Sequence, residues 1–560
     1  MKNFTLLLLT LSAACTVTAQ NPQVIEVSPA RQSLSTDPDH EIVITFDQAM
    51  DPATFTSENF MVFGRWSGPM IGTIAFSNGD MVATFTPGGE FFYGEWIAVM
   101  LTKFITDADG EALNHGHQFN YWTKTLPGYL ELTEVEVIDM KLPGEVWIQC
   151  YGAYAGDINN DNYTDLMVVN EDAEDVRIMF NDGTGHYGDF AIQELPGSTK
   201  PSTNQGADFN HDGEIDLALG STQGPEVSIL IGNGDGTFSP EVTYDADDGV
   251  RGLAIIDWDC DGFADLATAN RNGSNMAFLR NDGTGIFEDP IFMETGANQE
   301  TATMAADFNN DGIMDLGVGA YSGSVVMVLI GDGEGGFEVS ATVDVNSNPW
   351  MIGCGDVNGD GNCDLVSANA GNSNMSVHLG DGLGGLGAPA YFGTGSFPLA
   401  VDLGDLDGDG DLDMVSSNYS GDDFTLYEND GTGNFINPIT YQNPQNQAGS
   451  CALFHDRNND GIMDMTAVDE IADIVVLYEN SPLTRIDMIE NREISVYPNP
   501  TSDWLNLIGL QSAEVVTLHD SSGKQILEIQ GKSTVDVSVL ASGIYTLQSN
   551  LGWTEKVVIR

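Results

Sequence analysis

Positive charge is what this chain has least of. Its 560 residues carry 18 Lys plus Arg against 84 Asp plus Glu, a formal net charge of −66. That deficit excludes nucleic acid and anionic membrane surfaces as partners, because both are bound through basic patches. Long apolar runs are also missing. Beyond the first 19 residues no stretch reaches the roughly 18 apolar residues that a membrane helix needs. Cysteine is sparse. Five (Cys150, Cys260, Cys354, Cys363 and Cys451) follow residue 19, and an odd number leaves at least one thiol unpaired within the chain. Cys354 and Cys363 could form a local disulfide, or these cysteines could be buried free thiols. No Cys/His spacing points to zinc, and His115 and His117 read as structural. Catalytic signatures are lacking as well: there is no G-x-S-x-G elbow and no H-E-x-x-H. The apolar fraction of 41 % is ordinary, so an acidic disordered tail is excluded too.

What the chain does have is Asp, Asn and Gly in one recurring arrangement. The nonapeptide Asp-x-(Asn/Asp)-x-Asp-(Gly/Asn)-x-x-Asp starts at Asp157, Asp208, Asp257, Asp307, Asp356, Asp405 and Asp456. The intervals are 51, 49, 50, 49, 49 and 51 residues. A period near 50 marks a structural unit. Oxygen-bearing side chains stand at loop positions 1, 3, 5 and 9, and a backbone carbonyl at position 7 adds one more donor. A hard cation such as calcium takes about six to eight oxygens from such a loop, whereas magnesium demands stricter octahedral geometry and keeps more waters. The candidate ligands are Asp157, Asn159, Asp161, Tyr163 and Asp165 in the first loop, and Asp208, Asn210, Asp212, Glu214 and Asp216 in the second. The third offers Asp257, Asp259, Asp261, Phe263 and Asp265, and the fourth Asp307, Asn309, Asp311, Ile313 and Asp315. Asp356, Asn358, Asp360, Asn362 and Asp364 make the fifth, and Asp405, Asp407, Asp409, Asp411 and Asp413 the sixth. Asp456, Asn458, Asp460, Ile462 and Asp464 complete the set. Position 6 needs a sharp turn. It is Gly in six copies and Asn162 in the first, the residues that best tolerate positive φ. At positions 1, 3, 5 and 9 the loops gather 23 carboxylates, which would repel one another without cations. Up to seven calcium ions, one per repeat, are therefore expected, and metal binding should be coupled to stability.

These loops resemble the FG-GAP/VCBS repeat of integrin α-chain propellers and of many bacterial surface proteins. The second half of each repeat agrees. Apolar runs such as Val176-Arg-Ile-Met-Phe and Val325-Val-Met-Val-Leu lead into Gly-rich turns such as Asn181-Asp-Gly-Thr-Gly, often followed by an aromatic. Asn-Gly and Asp-Gly between apolar runs are hairpin signals. The resemblance implies about four short strands per repeat, which is a propeller blade. The seventh repeat stops after its third strand, and Tyr129-Leu-Glu-Leu-Thr-Glu-Val-Glu-Val-Ile reads as a strand without a blade. That segment is expected to complete blade seven and remove the free sheet edges. An open solenoid is the alternative.

The flanks differ from the centre. Residues 1–19 read as a secretory signal, with Lys2, an apolar stretch Phe4 to Ala14 and a small-residue end at Val17-Thr-Ala19. A lipoprotein signal at Cys15 is the alternative. Residues 20–126 alternate as in a β-sandwich. Val27-Ser-Pro-Ala30, Thr45-Phe-Asp-Gln-Ala-Met-Asp51 and Ile105-Thr-Asp-Ala-Asp-Gly110 resemble the bacterial Ig-like module, which implies a spacer or stalk. Residues 127–482 form the repeat region and 483–493 a linker. In 494–560, Val496-Tyr-Pro-Asn-Pro-Thr501, Val516-Thr-Leu-His-Asp-Ser-Ser-Gly523 and Ala541-Ser-Gly-Ile-Tyr545 resemble the type A sorting domain of type IX secretion. That resemblance implies a Bacteroidetes-type Gram-negative source and the type IX machinery as a partner. It also implies a protein secreted or held at the cell surface. The expected fold is all-β: a seven-bladed propeller between an Ig-like sandwich and a small C-terminal sandwich.

The expected function is calcium-stabilised recognition of an extracellular glycan or protein, as in adhesion. Integrin-like propellers bind ligands opposite their metal loops, and here that face is expected to expose Trp350, Tyr321, Phe397 and Tyr419, with Trp147 a further candidate. Aromatics beside Asn and Ser suit sugars, since ring faces stack on C–H surfaces while amides bond hydroxyls. Packing between blades is the alternative role for each ring. A polysaccharide-degrading, lyase-like propeller and a passive surface scaffold are the alternative functions. The first is disfavoured because only Lys200, Arg177, Arg251, Arg271, Arg280 and Arg457 offer positive charge across residues 149–480.

Overall fold

The computed structural model describes residues 20–345, 347–445, 447–482, 495–508, 515–520, 524–530, 532–549 and 554–560. The expected signal at 1–19 and the linker at 483–493 lie outside the described residues. Among the described residues the chain divides into two compact units that part after Asn480.

The repeats fold as the hairpin signals require. Each inner strand runs into an acidic loop, returns as a buried second strand, and continues through a Gly-rich turn to the outer strand. The first repeat shows the pattern, with strands Cys150–Gly156, Asp165–Asn170, Asp175–Asn181 and Tyr187–Glu194 paired antiparallel in that order. Seven such four-stranded sheets are present among the described residues. Inner strands contact the next in sequence, and Gly449–His455 of the last returns to Cys150–Gly156 of the first, so the array closes. Close approach at the centre favours small residues. A Cβ on Gly252 would lie 2.8 Å from the Cα of Ala302, and one on Gly152 would lie 2.5 Å from the Ser202 carbonyl oxygen. The seventh sheet takes its outer strand from Thr133–Asp139, which pairs with Ile474–Glu479. The join thus falls where the sequence placed it, and both chain ends of the ring share one sheet.

Residues 24–122 form two four-stranded sheets packed around Ile42, Phe46, Val99 and Phe119. A spacer or stalk was expected here. Instead the sandwich docks on the mouth of the ring that carries the acidic loops. Trp66 is 2 % exposed and lies in the hydrophobic cluster shared by the first, sixth and seventh sheets, while Trp122 joins that of the fifth and sixth. Backbone amides of this module and its exit segment reach loop carbonyls: Lys103 to Cys260 at 3.0 Å, Gln118 to Gly312 at 2.6 Å, Leu126 to Gly461 at 2.7 Å. In return, Asp157 N–H donates to the Trp66 carbonyl at 2.8 Å. The cause is complementary chemistry that composition hides. The acidic loops leave carbonyls free at one rim, and the sandwich presents unpaired amides and apolar rings to them.

In the C-terminal unit, Ser495–Tyr497, Trp504–Ile508 and Thr534–Asp536 form one sheet. Val515–His519, Gln525–Gln530, Gly543–Ser549 and Thr554–Ile559 form the other, over a core that includes Leu505, Leu518 and Leu547. The five described cysteines are free thiols, with the Cys354 and Cys363 side chains in contact.

Candidate metal loops and the opposite face

Three hydrogen bonds recur in all seven loops. The position-5 amide donates to the position-1 carboxylate (Asp161 to Asp157, 2.9 Å, in the first). The position-7 amide donates to the position-5 carboxylate (Tyr163 to Asp161, 3.0 Å). The position-9 carboxylate accepts from the residue sixteen further on (Asn181 to Asp165, 2.9 Å), tying the loop to the start of the Gly-rich turn. The loops turn through two left-handed residues. Position 6 does so as expected, at φ 92° in Gly213 and 64° in Asn162. Position 4 does so too (Asn160, His211, Cys260, Asn310, Gly359, Gly408, Asn459), which sequence reading missed.

This architecture holds carboxylates closer than free charges would settle. In the loops with four carboxylates, oxygens of Asp257, Asp259 and Asp265, and of Asp405, Asp407 and Asp409, lie within 4.8 Å of one another. Position 9 is fully buried in the first and third loops, yet Oδ2 of Asp165 and Asp265 has no hydrogen-bond partner; in the seventh, Asp464 Oδ2 has only Arg457 Nε at 3.8 Å. Burial, with neighbouring carboxylates adding to it, pushes Asp165, Asp315 and Asp464 up to about 8. Orphaned, desolvated, mutually repelling oxygens at this spacing fit a hard divalent cation. The loops are not equivalent. Arg280 Nη2 lies 2.6 Å from Asp259 and 2.8 Å from Asp261, and Lys103 Nζ lies 4.0 Å from Asp259, so protein cations partly neutralise the third loop.

A second inter-sheet contact rides on the loops. Asn181 Nδ2 donates to the Arg457 carbonyl at 2.9 Å, joining the first sheet to the seventh. Asn281, Asn429 and Asn480 repeat the contact to the preceding sheet at 2.8, 2.8 and 2.9 Å.

At the opposite ends of the inner strands the structure brings Trp350, Tyr321, Phe397 and Tyr419 together in one cluster. Tyr321 meets Trp350 at 5.3 Å, Trp350 meets Phe397 at 5.7 Å, and Phe397 meets Tyr419 at 6.2 Å. The rings pack on each other rather than standing free, and Trp350 is 9 % exposed. The expected exposure is corrected for that residue, since each ring finds a partner on a neighbouring strand end. Trp147 is the exposed one, at 49 %, with its Nε1 3.4 Å from the Glu470 carbonyl. Sequence reading did not assign Tyr151 to this face, and it weighed Arg251 and Arg271 only as scattered charges. Tyr151 Oη accepts from Trp350 Nε1 at 2.9 Å and from Arg251 Nη1 at 2.7 Å, closing the centre of the mouth. The signal that would have found them is register: Tyr151, Arg251 and Trp350 each stand six residues before a loop. A cavity of about 1350 Å³ is lined by the inner strands and by the sandwich, with Tyr151 and Arg251 at one end and Met61 and Trp96 at the other.

The fold and loops define an all-β protein built from acidic-loop repeats around a capped central cavity. The chain belongs to the FG-GAP-like repeat family, which matches overlapping segments 157–219, 208–268, 257–318, 307–362, 356–416 and 405–466. Residues 18–123 match a bacterial Ig-like domain, and residues 495–560 a secretion system C-terminal sorting domain. The sorting domain implies export by the type IX machinery to the cell surface or beyond. Among the described residues no helix is long and apolar enough to cross a membrane. No match is found among curated protein sequences. Similar solved structures include BBS1N in complex with ARL6DN (10 % identity, 62 % of this chain and 96 % of that one, TM-score 0.44). An Agrocybe aegerita lectin described as specifically recognising non-reducing terminal N-acetylglucosamine is another (15 %, 74 % and 95 %, 0.38). A putative phosphatase from Bacteroides thetaiotaomicron is a third (11 %, 82 % and 98 %, 0.35).

Proposed function

We propose that this is a calcium-stabilised recognition module that binds an extracellular glycan at the mouth opposite its acidic loops. The observation that carries the reading is the division of labour between the two mouths. One is capped by the Ig-like sandwich; at the other, Tyr151 and Arg251 close the end of the central cavity and the aromatic cluster around Trp350 packs beyond them. Residues at positions 1, 3, 5, 7 and 9 of each loop would hold calcium, which supplies charge neutralisation and rigidity there. A binder is favoured over a lyase because burial pushes the Tyr151 hydroxyl up to about 12, away from the phenolate that a proton-abstracting base needs. The test is a glycan-array screen of the full chain with calcium and with chelator, repeated with Trp350→Ala. Binding that depends on both calcium and Trp350 supports the reading. Binding indifferent to Trp350, or turnover of a polysaccharide, overturns it.

A further inference from the structure

Arg251 and Arg271 are anomalous in so acidic a protein. Every other lysine and arginine of residues 20–480 has a carboxylate within 4.0 Å. Among the described residues these two have none, although Asp and Glu outnumber Lys and Arg more than fourfold in the chain. They are also close together. Arg251 Cζ lies 4.7 Å from the centre of the Trp350 ring, and Arg271 Cζ lies 4.9 Å from it and 4.7 Å from the Tyr321 ring. Burial and, after it, the charge of Arg251 hold Arg271 below its ordinary value, as expected for a half-buried cation with another cation nearby. Both are partly exposed, and Arg271 Nε has no partner.

The repeats show that this pair is a local departure from a regular frame. In each of the seven, the residue fourteen beyond the loop start donates its amide to the carbonyl of the residue eight before that start. This bond recurs from Glu171 to Gln149, from Arg271 to Gly249, and from Tyr321 to Gln299. The backbone is therefore the same seven times while the side chains diverge. Position +14 is Glu171, Thr222, Arg271, Tyr321, Ala370, Tyr419 and Glu470, whereas the metal-loop positions barely vary. Divergence on a fixed frame suits a face that meets an asymmetric ligand. Glu171 and Glu470 share the face, but neither lies within 4.0 Å of either arginine. Burial pushes Glu171 up to about 7, so it is a weak counter-charge.

We infer that Arg251 and Arg271 bind the oxyanion of an acidic sugar residue, a carboxylate or a sulfate, whose ring lies against the partly exposed Tyr321 at the rim of the cluster. Guanidinium forks pair with two oxygens of a carboxylate or a sulfate, and stacking on the protein's aromatic rings holds the forks in place. The long-range field of −66 charges repels polyanions, which favours a sugar with isolated acidic groups over a densely charged chain. This inference rests on the recognition reading above and specifies its ligand.

Titration calorimetry of the full chain in calcium separates the two. The probes are a glucuronate-containing tetrasaccharide, the same molecule with its carboxyls reduced to alcohols, a sulfated tetrasaccharide, and an acidic peptide of equal charge. Binding of the carboxylated or the sulfated sugar, but not the reduced one, is expected, and the stronger of the two identifies the oxyanion. Arg271→Gln should weaken it at least about tenfold, with Arg271→Lys intermediate. The melting temperature should fall by only a few degrees, because stacking on Tyr321 and Trp350 is lost but no ion pair is. Equal affinity for the acidic and reduced sugars, or an unaffected Arg271→Gln, overturns the oxyanion site while leaving glycan recognition standing. Binding of the peptide alone, or of none of the probes, overturns both.

Discussion

The two mouths of the ring are built from the same strands and obey opposite rules. At one, the sequence repeats almost unchanged, carboxylates crowd together, and a second module covers the result. At the other, the backbone repeats but the side chains do not, and the rare unpaired cations collect there with aromatic rings. Uniformity is what a structural role needs, since every sheet faces the same problem of holding its first hairpin and its neighbour. Diversity is what recognition needs, since a ligand is not sevenfold symmetric. Under the proposed recognition reading, function falls where the repeat is least faithful.

The largest test of this contrast is removal of divalent cations. Each site occupied at about a hundred times its dissociation constant contributes about 2.7 kcal/mol. Seven such sites make a drop of about 20 °C or more in melting temperature on chelation the expected outcome, read by calorimetry on the full chain. Asp311→Ala should cost only a fraction of that, because it weakens one loop. The chelated protein should also respond to pH in a stated direction. Its position-9 carboxyls are all raised from an ordinary 3.8, to about 8 in Asp165, Asp315 and Asp464, so the folded state holds more protons than the unfolded one between those values. Stability is then highest near pH 4 and falls as pH rises towards about 8. A melting curve indifferent to chelator, or a chelated protein that gains stability with pH over that range, would break the contrast by removing metal from the loop mouth.

Next in size is the cap. Trp66 is the largest fully buried side chain that the sandwich contributes to the ring, and it packs in the cluster that holds Phe454 and Met463. Trp66→Ala should cost about 3–5 kcal/mol of docking. It should split one cooperative transition into two, with the sandwich melting separately and cleaved sooner by protease. A single unchanged transition would mean that the loop mouth is not closed by this contact.

The sequence made some of this legible and hid the rest, for a reason visible in the residues. The acidic loops were readable because each one holds its own chemistry within nine residues, and the ring closure because Thr133–Asp139 lacked a sheet. The Gly at position 6 announced its turn, whereas Asn160, His211 and Cys260 at position 4 share no residue type that would mark a left-handed conformation. The docking of residues 20–126 was hidden because it uses backbone carbonyls, which every sequence has. The Arg251–Arg271 pair was hidden because its partners Tyr151, Tyr321 and Trp350 come from different repeats. They become visible only when the repeats are stacked in register. Trp350 was found but its burial was not, because the rings that cover it lie in adjacent repeats.

The smallest expected effect bears on whether the ring has a weak seam. Asn181 joins the first sheet to the last, and Asn281 joins two sheets that are consecutive in sequence. The contacts are alike: each side-chain amide donates to a loop carbonyl of the neighbouring sheet at 2.9 and 2.8 Å and to its own loop at 3.1 Å. Both side chains are buried, so substitution by alanine strands partners in each case and should cost about 1–3 kcal/mol. The corresponding residues of the second, fourth and fifth sheets are Gly232, Gly331 and Gly380, which have no side chain to donate. The interior of the ring therefore tolerates loss of this latch, and what matters is whether the seam does. Because Thr133–Asp139 already pairs across the join, equal losses in melting temperature for Asn181→Ala and Asn281→Ala are expected. A markedly larger loss for Asn181→Ala would show that strand pairing alone leaves the join weak, and that the seam differs in kind from the other sheet contacts at the loop mouth.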